Sequence, residues 1–559
     1  MRRAKNYKIL RNILSKSRQI DFSQDVSYLI IYSFLYKYAS DILKDYFRSV
    51  IEKKALTLDE AYGNEEFREI FRNDALQMFG YYITGPDYFM DEVINNSYSN
   101  RFFIYDFFEA FSQNIEFKSN SNYEKYFSFI FEAVKSEINL KKFEFEGENH
   151  LIVKEIIYSI SKLDILDNQF PFERVFDHIC QYRMIRINSD PDYVNQMLIE
   201  LITHCSENIS DVYNPFLNDG SSLVSLKRYC ERGIENFHAK GFDKITYCAS
   251  IVKFLINYFN FDNLYLEFSS PLESQDVPFT SFDVIMAKIP PITSKNMRKL
   301  NNAQNIEMAK RNKRKQLESI LSDNFDMNMD SFMDDNELNS AIDNLLSKMD
   351  LENASPVRFH GEYESLKDSE YLFLINLINC LKDGGMMAVA MSQSFLFKNS
   401  LELLRKYLTV EKNYIDAIIS IPDELSRPKA SEIIVIFRKN KSCDDIVFID
   451  MSKMYATIPA PDAVPGLFKR NILLSPETLG DVVDAYAKRL VVDKFSNVIT
   501  VNELAKNEFN LSISRYVDTF EGEFISLDDL KYQKREIDEN LDKLNKKIDV
   551  MLSDLNIRF

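Results

Sequence analysis

Two patterns of apolar positions divide the chain. Up to about residue 165, apolar residues recur every three or four positions, as in DVSYLIIYSFLYKYASDILKDYF, EEFREIFRNDALQMFGYYI and RFFIYDFFEAFSQNI. That is the period of a buried helix face, and strand-like alternation is scarce. Polar joints such as SNSN mark the loops, so the pattern predicts an all-helical domain over 1–165 with its own core. A helix pair, QFPFERVFDHICQYRM and DYVNQMLIELITHCSE, bridges about 166 to 210, the second helix starting at Asp190-Pro191.

From residue 211 the rhythm changes. Short apolar runs (ENFHAKGFD, NLYLEF, FDVIMA, GGMMAVAMS) alternate with helical stretches such as ITYCASIVKFLINYF, YLFLINLINCL and LELLRKYL. This alternation predicts an α/β domain over 166–460, a mostly parallel sheet with helices on both faces. YIDAIISI, SEIIVIFRK and DIVFIDMS follow one another without long helices between them, which predicts an antiparallel edge. A long interruption, about 294–356, opens basic (SKNMRKL, AKRNKRK) and turns acidic (DNFDMNMDSFMDDNE). It reads either as a helical surface insertion with solvated charges or as a flap facing DNA or a partner.

The remainder, 461–559, is expected to be a separate C-terminal region, entered through a Pro-rich linker, TIPAPDAVPG. A long helix is predicted over 526–555, where Leu527, Leu530, Ile537, Leu541, Leu544, Ile548, Met551 and Leu555 keep a three-four stripe that only Lys534 interrupts. Such a stripe needs a facing helix, from its own domain or from another subunit.

Composition narrows the partners. The formal net charge is −17 and the pI near 5.0, which argues against strong duplex binding by the chain alone, since phosphate neutralisation supplies much of that affinity. Six scattered cysteines without a CxxC pair and five histidines without a cluster predict neither a metal site nor disulfides, and point to a reduced, cytoplasmic protein. The basic N-terminus lacks an apolar signal core, and the run Tyr28 to Tyr38 is too short and polar-studded to span a bilayer.

Within the α/β region, Asp211 to Leu226 (DVYNPFLNDGSSLVSL) reads as a strand, a tight turn and a helix. In a doubly wound sheet that junction binds nucleotide-like ligands, because the first strand's end meets a helix N-terminus. A ligand-cradling turn usually holds two or three glycines, and this one holds Gly220 alone.

GGMMAVAMSQSFLF, YIDAIISIPDELSRPKASEIIVIFRKNKS and VFIDMSKM closely resemble the modification (methyltransferase) subunit of type I restriction-modification systems, in the adenine-N6 DNA methyltransferase family. YSFLYKYASD in the N-terminal region and NLSISRYVD at 510–518 fit the same resemblance, which spans nearly the whole chain and is most specific over about 361–455. It implies a class I S-adenosylmethionine (SAM) methyltransferase core of Rossmann-like fold, an N-terminal helical domain and a C-terminal helical tail. The tail would meet a specificity-type subunit; DNA, a motor-nuclease subunit and a second modification subunit are further implied partners.

The resemblance also places the site. The family's Asp-Pro-x-x-Gly-x-Gly cofactor turn becomes Asn214, Pro215, Phe216, Leu217, Asn218, Asp219 and Gly220. Asp219 would set a carboxylate beside that of the cofactor's methionine, a repulsion unless a cation intervenes. Upstream, only Pro191 survives of an aromatic cofactor segment. The ribose-binding acid is matched by Asp243, whereas the adenine-side Gly-Asp-x-Leu appears as Ser269, Ser270, Pro271 and Leu272. The catalytic Asn-Pro-Pro-aromatic, which accepts hydrogen bonds from the target amine and stacks on the flipped base, becomes Ile289, Pro290, Pro291 and Ile292 after Lys288. Neither isoleucine accepts a hydrogen bond or presents a π face. The expectation is a retained scaffold with impaired chemistry, acting as a structural subunit of a DNA-modification or defence complex. Two alternatives stay open: an active, diverged DNA adenine-N6 methyltransferase, and a DNA-binding or sensing module whose cleft takes another ligand.

Overall fold

The computed structural model describes residues 5–17, 24–51, 57–138, 148–167, 170–181, 192–206, 208–230, 233–269, 281–289, 373–422, 432–452, 455–459, 472–519 and 527–554. The 294–356 insertion, the predicted helix start at Asp190-Pro191 and the motif positions Pro191, Ser270, Leu272, Pro290, Pro291 and Ile292 lie outside them.

The N-terminal region is mainly helical, and its longest helix, Gln24–Ile51, runs through DVSYLIIYSFLYKYASDILKDYF as the pattern predicts. It is not entirely helical. The ends of two predicted helices form short strands instead, β1 (Tyr81–Ile83) and β2 (Ile115–Phe117), which pair antiparallel. The first helix ends at Met78 and Gly80 turns left-handed (φ 78°), which frees Tyr-Tyr-Ile to extend.

The centre of the molecule is a nine-stranded sheet. Its strands are β3 (Asp211–Asn214), β4 (Asn236–Gly241), β5 (Leu264–Phe268), β6 (Phe282–Lys288), β7 (Leu381–Ser392), β8 (Ile415–Ser420), β9 (Glu432–Arg438), β10 (Asp445–Ile449) and β13 (Ser496–Thr500). The order is β13-β10-β8-β9-β7-β6-β3-β4-β5. β5, β4, β3, β6 and β7 pair parallel with one another in that order, as does β10 with β8, while β9 runs antiparallel to both β7 and β8. The antiparallel strand in the late succession is therefore internal, not at an edge as the sequence suggested. The antiparallel edge is β13, paired with β10. Strand progression reverses between β3 and β6, and ligands of doubly wound sheets bind outside the carboxyl ends at such a reversal.

The central strands are buried on both faces, which is why they read as unbroken apolar runs. In β6, Val284 and Met286 belong to one hydrophobic cluster and Ile285 and Ala287 to the other. In β7, Met386, Ala388 and Ala390 join the first, and Met387, Val389 and Met391 the second. The first cluster continues without a break into the N-terminal helices, through Leu35, Ile130, Ile157 and Val175. The helical region thus shares its core with the sheet rather than keeping one of its own.

The same region covers the sheet's outer strand. From the helix Asn122–Glu137, the Tyr126 hydroxyl donates to the Leu264 carbonyl (2.6 Å) and accepts from the Leu266 N–H (2.8 Å). Lys125 donates to the Leu266 carbonyl and Asn122 to that of Phe261. An exposed strand edge invites pairing with another chain, and side chains occupy this one.

One compact unit extends from Met1 to Val517, past the expected boundary near 460. Thr457–Pro459, read as the start of a linker, is β11 and pairs with β12 (Ile472–Leu474). The second unit, Asp518–Phe559, contains the helix Leu527–Asp554. Ile537, Leu541, Leu544 and Ile548 recur along one side of it at four-three-four spacing, between 49% and 60% exposed. Among the described residues no helix is long and apolar enough to cross a membrane.

Candidate functional site at the carboxyl edge of the sheet

β3 leads into the turn Asn214–Gly220, and the helix Ser221–Tyr229 starts directly after it. The turn's polar side chains bond to the turn itself. Asn214, fully buried, donates from Nδ2 to Ser222 Oγ (2.8 Å) and accepts the Phe216 N–H at Oδ1 (3.0 Å). Both ends of its amide thus serve the strand–helix junction. Phe216 and Leu217 are each 2% exposed, and the Leu217 N–H is held by the Lys240 carbonyl of β4. Asn218, in the position of the family's first glycine, is 6% exposed and reaches from Nδ2 to the Lys288 carbonyl at the end of β6 (3.5 Å).

Gly220 is required by backbone and packing together. Its φ of 78° is left-handed, and a Cβ there would fall 2.8 Å from Phe254 Cζ in the helix Lys244–Ile256. The glycine admits a neighbouring helix.

Asp219, read as a carboxylate that would repel a cofactor's own unless a cation intervened, has that cation beside it. It is 0% exposed and accepts from the Ser221 N–H, the Ser221 hydroxyl and Lys253 Nζ, the last at 2.8 Å. The intervening cation is Lys253, 3% exposed, which also pairs with Asp177 Oδ1 (3.0 Å) and donates to Ser221 Oγ (2.8 Å). Burial by itself would lower the Lys253 pKa; Asp177 and Asp219 outweigh it and hold the ammonium well above its usual range. Burial pushes Asp177 the other way, up, and Lys253 with Arg174 brings it net below the ordinary carboxylate value. The cluster joins three elements: the turn, the helix Lys244–Ile256, and Phe172–Gln181 from the bridge. Its sequence signal was Lys253 itself, a lone charge inside ITYCASIVKFLINYF.

Further along the edge, Asp243 follows β4 and caps the helix Lys244–Ile256, its Oδ1 accepting the Thr246 N–H (3.0 Å) and hydroxyl (2.7 Å). This is the N-cap bond that a helix start requires. Gly241, at the end of β4, has Tyr247 Cδ2 2.5 Å from where a Cβ would stand. Ser269, after β5, donates its N–H to the Gly241 carbonyl.

At the end of β6 the Lys288 ammonium lies 3.0 Å from Glu432 Oε1 of β9, both side chains 13% exposed. The cation noted beside the catalytic motif is therefore paired. Ile289 is 4% exposed, belongs to the same hydrophobic cluster as Ile285 and Ala287, and donates its N–H to the Ala390 carbonyl of β7. The strand ladder thus runs through the position where the family presents its catalytic amide. The structure brings Asn214, Phe216, Asn218, Gly220, Asp243 and Ile289 to one edge of the sheet. Lys253, Asp177 and Glu432, which decide the electrostatics there, were not read from the sequence.

Comparison with known proteins agrees with this architecture. Residues 296–523 match the N-6 DNA Methylase family. The chain is 27% identical over 213 residues to the type I restriction enzyme MpnII methylase subunit of Mycoplasma pneumoniae, covering 37% of each chain. It is 28% identical over 182 residues to the MjaVIII methylase subunit of Methanocaldococcus jannaschii, covering 32% of this chain and 28% of that one. The matches thus span well under half the length of these relatives. In structure the chain is similar to the type I restriction-modification methyltransferase subunit from Streptococcus thermophilus, with a TM-score of 0.64, 19% identity and coverage of 92% of this chain and 99% of that one. The sheet order, the motif positions along its carboxyl edge and these matches point one way: residues 296–523 match the N-6 DNA Methylase family, and the chain is similar to methylase subunits of type I restriction enzymes.

Proposed function

We propose that this protein is a structural modification subunit of a DNA-modification or defence complex. It keeps the class I methyltransferase scaffold and has given up methyl transfer to adenine by the family's route. The observation that carries this reading is Ile289. Adenine-N6 transfer needs an acceptor for the target amine at the end of this strand. The buried side chain of isoleucine has no oxygen or nitrogen to accept with. The cofactor turn supports the same reading. A SAM cradle exposes backbone to the ligand, whereas Asn214, Phe216, Leu217, Asn218 and Asp219 fill this turn with their own buried side chains. On this reading these residues do not fit SAM.

The apolar side of the helix Leu527–Asp554 supports a specificity-type subunit as partner, since helices carrying such stripes pair with other helices. Duplex DNA, a motor-nuclease subunit and a second modification subunit would then be met within the complex, in the cytoplasm. The acidic chain is poorly suited to binding duplex alone.

A second reading, a diverged but active SAM-dependent adenine-N6 methyltransferase, has one observation in its favour. Lys253 neutralises Asp219, so no unpaired carboxylate would oppose the cofactor's own. Calorimetry with SAM and transfer of labelled methyl groups to adenine in duplex DNA separate the two. The structural reading expects neither binding nor transfer, with and without a specificity subunit. Micromolar SAM affinity without transfer would leave the scaffold role and refute the filled cradle, and methylated adenine would overturn the proposal.

A further inference from the structure

A cleft of about 320 Å³ opens between the helical region and the residues that follow the helix Lys244–Ile256. It lies toward the amino end of β5, the opposite edge of the sheet from the Asn214–Gly220 turn. Its volume is that of a small-molecule site, and such sites favour seams between structural regions. Six of its lining residues are aromatic: Tyr38, Phe79, Tyr81, Tyr123, Tyr258 and Phe259. Its charges balance. Lys118 Nζ stands 3.5 Å from Asp262 Oδ2, and the lining holds no other charged side chain among the described residues.

Two features of the cleft are costly to the fold alone. Tyr81 is 1% exposed, and its hydroxyl has no hydrogen-bond partner among the described residues. Buried hydroxyls normally have one, because leaving water unpaired is unfavourable. Tyr258, after the helix Lys244–Ile256, adopts a left-handed backbone (φ 57°), and its N–H donates to the Leu255 carbonyl. Glycine or asparagine fills that position with less strain. Here a tyrosine, 69% exposed, sets its ring edge-on to Tyr38 with centroids 6.2 Å apart. Gly80 contributes to the wall, since a Cβ there would fall 2.3 Å from the Tyr123 ring.

We propose that this cleft binds a neutral, planar heterocycle of nucleobase size, free or as a nucleoside. Aromatic walls favour a flat π system, whichever base it carries. On this proposal the orphan hydroxyl of Tyr81, a lining residue, meets a ring nitrogen or carbonyl once the cleft is occupied, a partner that a hydrocarbon does not supply. A phosphate would find only a lysine already paired with an aspartate, so the charge balance favours the uncharged form. The site is separate from the carboxyl-edge turn and does not depend on whether SAM binds there.

The test uses the full chain, with adenosine, adenine and adenosine monophosphate as probes in calorimetry. Saturable binding of adenosine or adenine is expected at about millimolar dissociation constants or tighter, with the monophosphate weaker and SAM not competing. Tyr81→Phe keeps the ring and removes the orphan hydroxyl. It is expected to melt no lower than the parent and to bind about fivefold more weakly, the factor for one lost hydrogen bond. Tyr258→Gly relieves the backbone and should likewise bind more weakly without a lower melting point. Absence of saturable binding by either neutral probe, binding displaced by SAM, or unchanged affinity in both variants would overturn the proposal.

Discussion

Replacing Lys253 by methionine tests the electrostatic account of the turn. The substitution keeps most of the side chain's length and removes its charge. Asp219, 0% exposed, then loses its cation and keeps only the two donors of Ser221. Breaking a buried pair on one side costs about 3–5 kcal/mol, because the remaining charge stays desolvated. Asp177 raises the loss only slightly, since its side chain is 19% exposed and Arg174 lies 3.8 Å away. Asp219→Asn leaves Lys253 paired with Asp177 and should cost less, about 1–3 kcal/mol. The double variant removes both charges of the inner pair. It should recover to within about 2 kcal/mol of the parent, a coupling well beyond that of independent sites. Native-state hydrogen exchange at the amides of the helix Lys244–Ile256 reads these differences without assuming that a unit of this size unfolds in one step. The reasoning fails if Lys253→Met costs under about 1 kcal/mol, or if the two single losses simply add in the double variant.

The same cluster sets a pH response. Asp177 is held below its usual range, so its contribution is present above the unfolded value of about 3.9 and is lost as pH falls through the folded value. In Lys253→Met burial is no longer outweighed, so this acid-side loss should shrink and the variant's deficit against the parent should be smaller at pH 3 than at pH 7, which urea midpoints across that range would show; a deficit independent of pH would contradict it. Gly220→Ala adds a Cβ against the Phe254 ring at a left-handed position, and should lower stability by about 1–3 kcal/mol in thermal melts. Tyr126→Phe removes the hydroxyl that serves both Leu264 and Leu266, at a cost of about 1–3 kcal/mol, and faster exchange of the Leu266 amide is the specific sign. Deleting 520–559 should leave the melting of the first unit unchanged and release a co-purified specificity-type subunit, with retention of that subunit refuting the docking role of the helix.

Much of the sheet was legible because its strands are buried on both sides. FDVIMA and GGMMAVAMS have no solvent face to interrupt with polar residues, so they stand out as apolar runs between helices. Register and neighbours were not legible. β9 lies between β7 and β8 although it follows both in the chain, and short apolar runs do not state which of their edges is paired. The ends of the N-terminal helices were misread for a related reason: YYI and IEF fit a helical rhythm locally, and their pairing across more than thirty residues overrides it.

By itself the sequence determined the α/β class of the fold and which residues follow which strand. Asn214, Gly220, Asp243 and Ile289 could be assigned because spacing along the chain fixes which residue follows which strand. Tertiary structure decided what those residues are for. Asp219, alarming as an isolated carboxylate, is neutralised by a lysine 34 residues later, which also pairs with Asp177 of a preceding helix. Gly220, the one glycine of a ligand-like turn, makes room for Phe254. Lys288, a free cation on paper, is paired with Glu432. Charge and space are properties of a neighbourhood, and neighbours across a sheet come from parts of the chain whose order does not announce the contact.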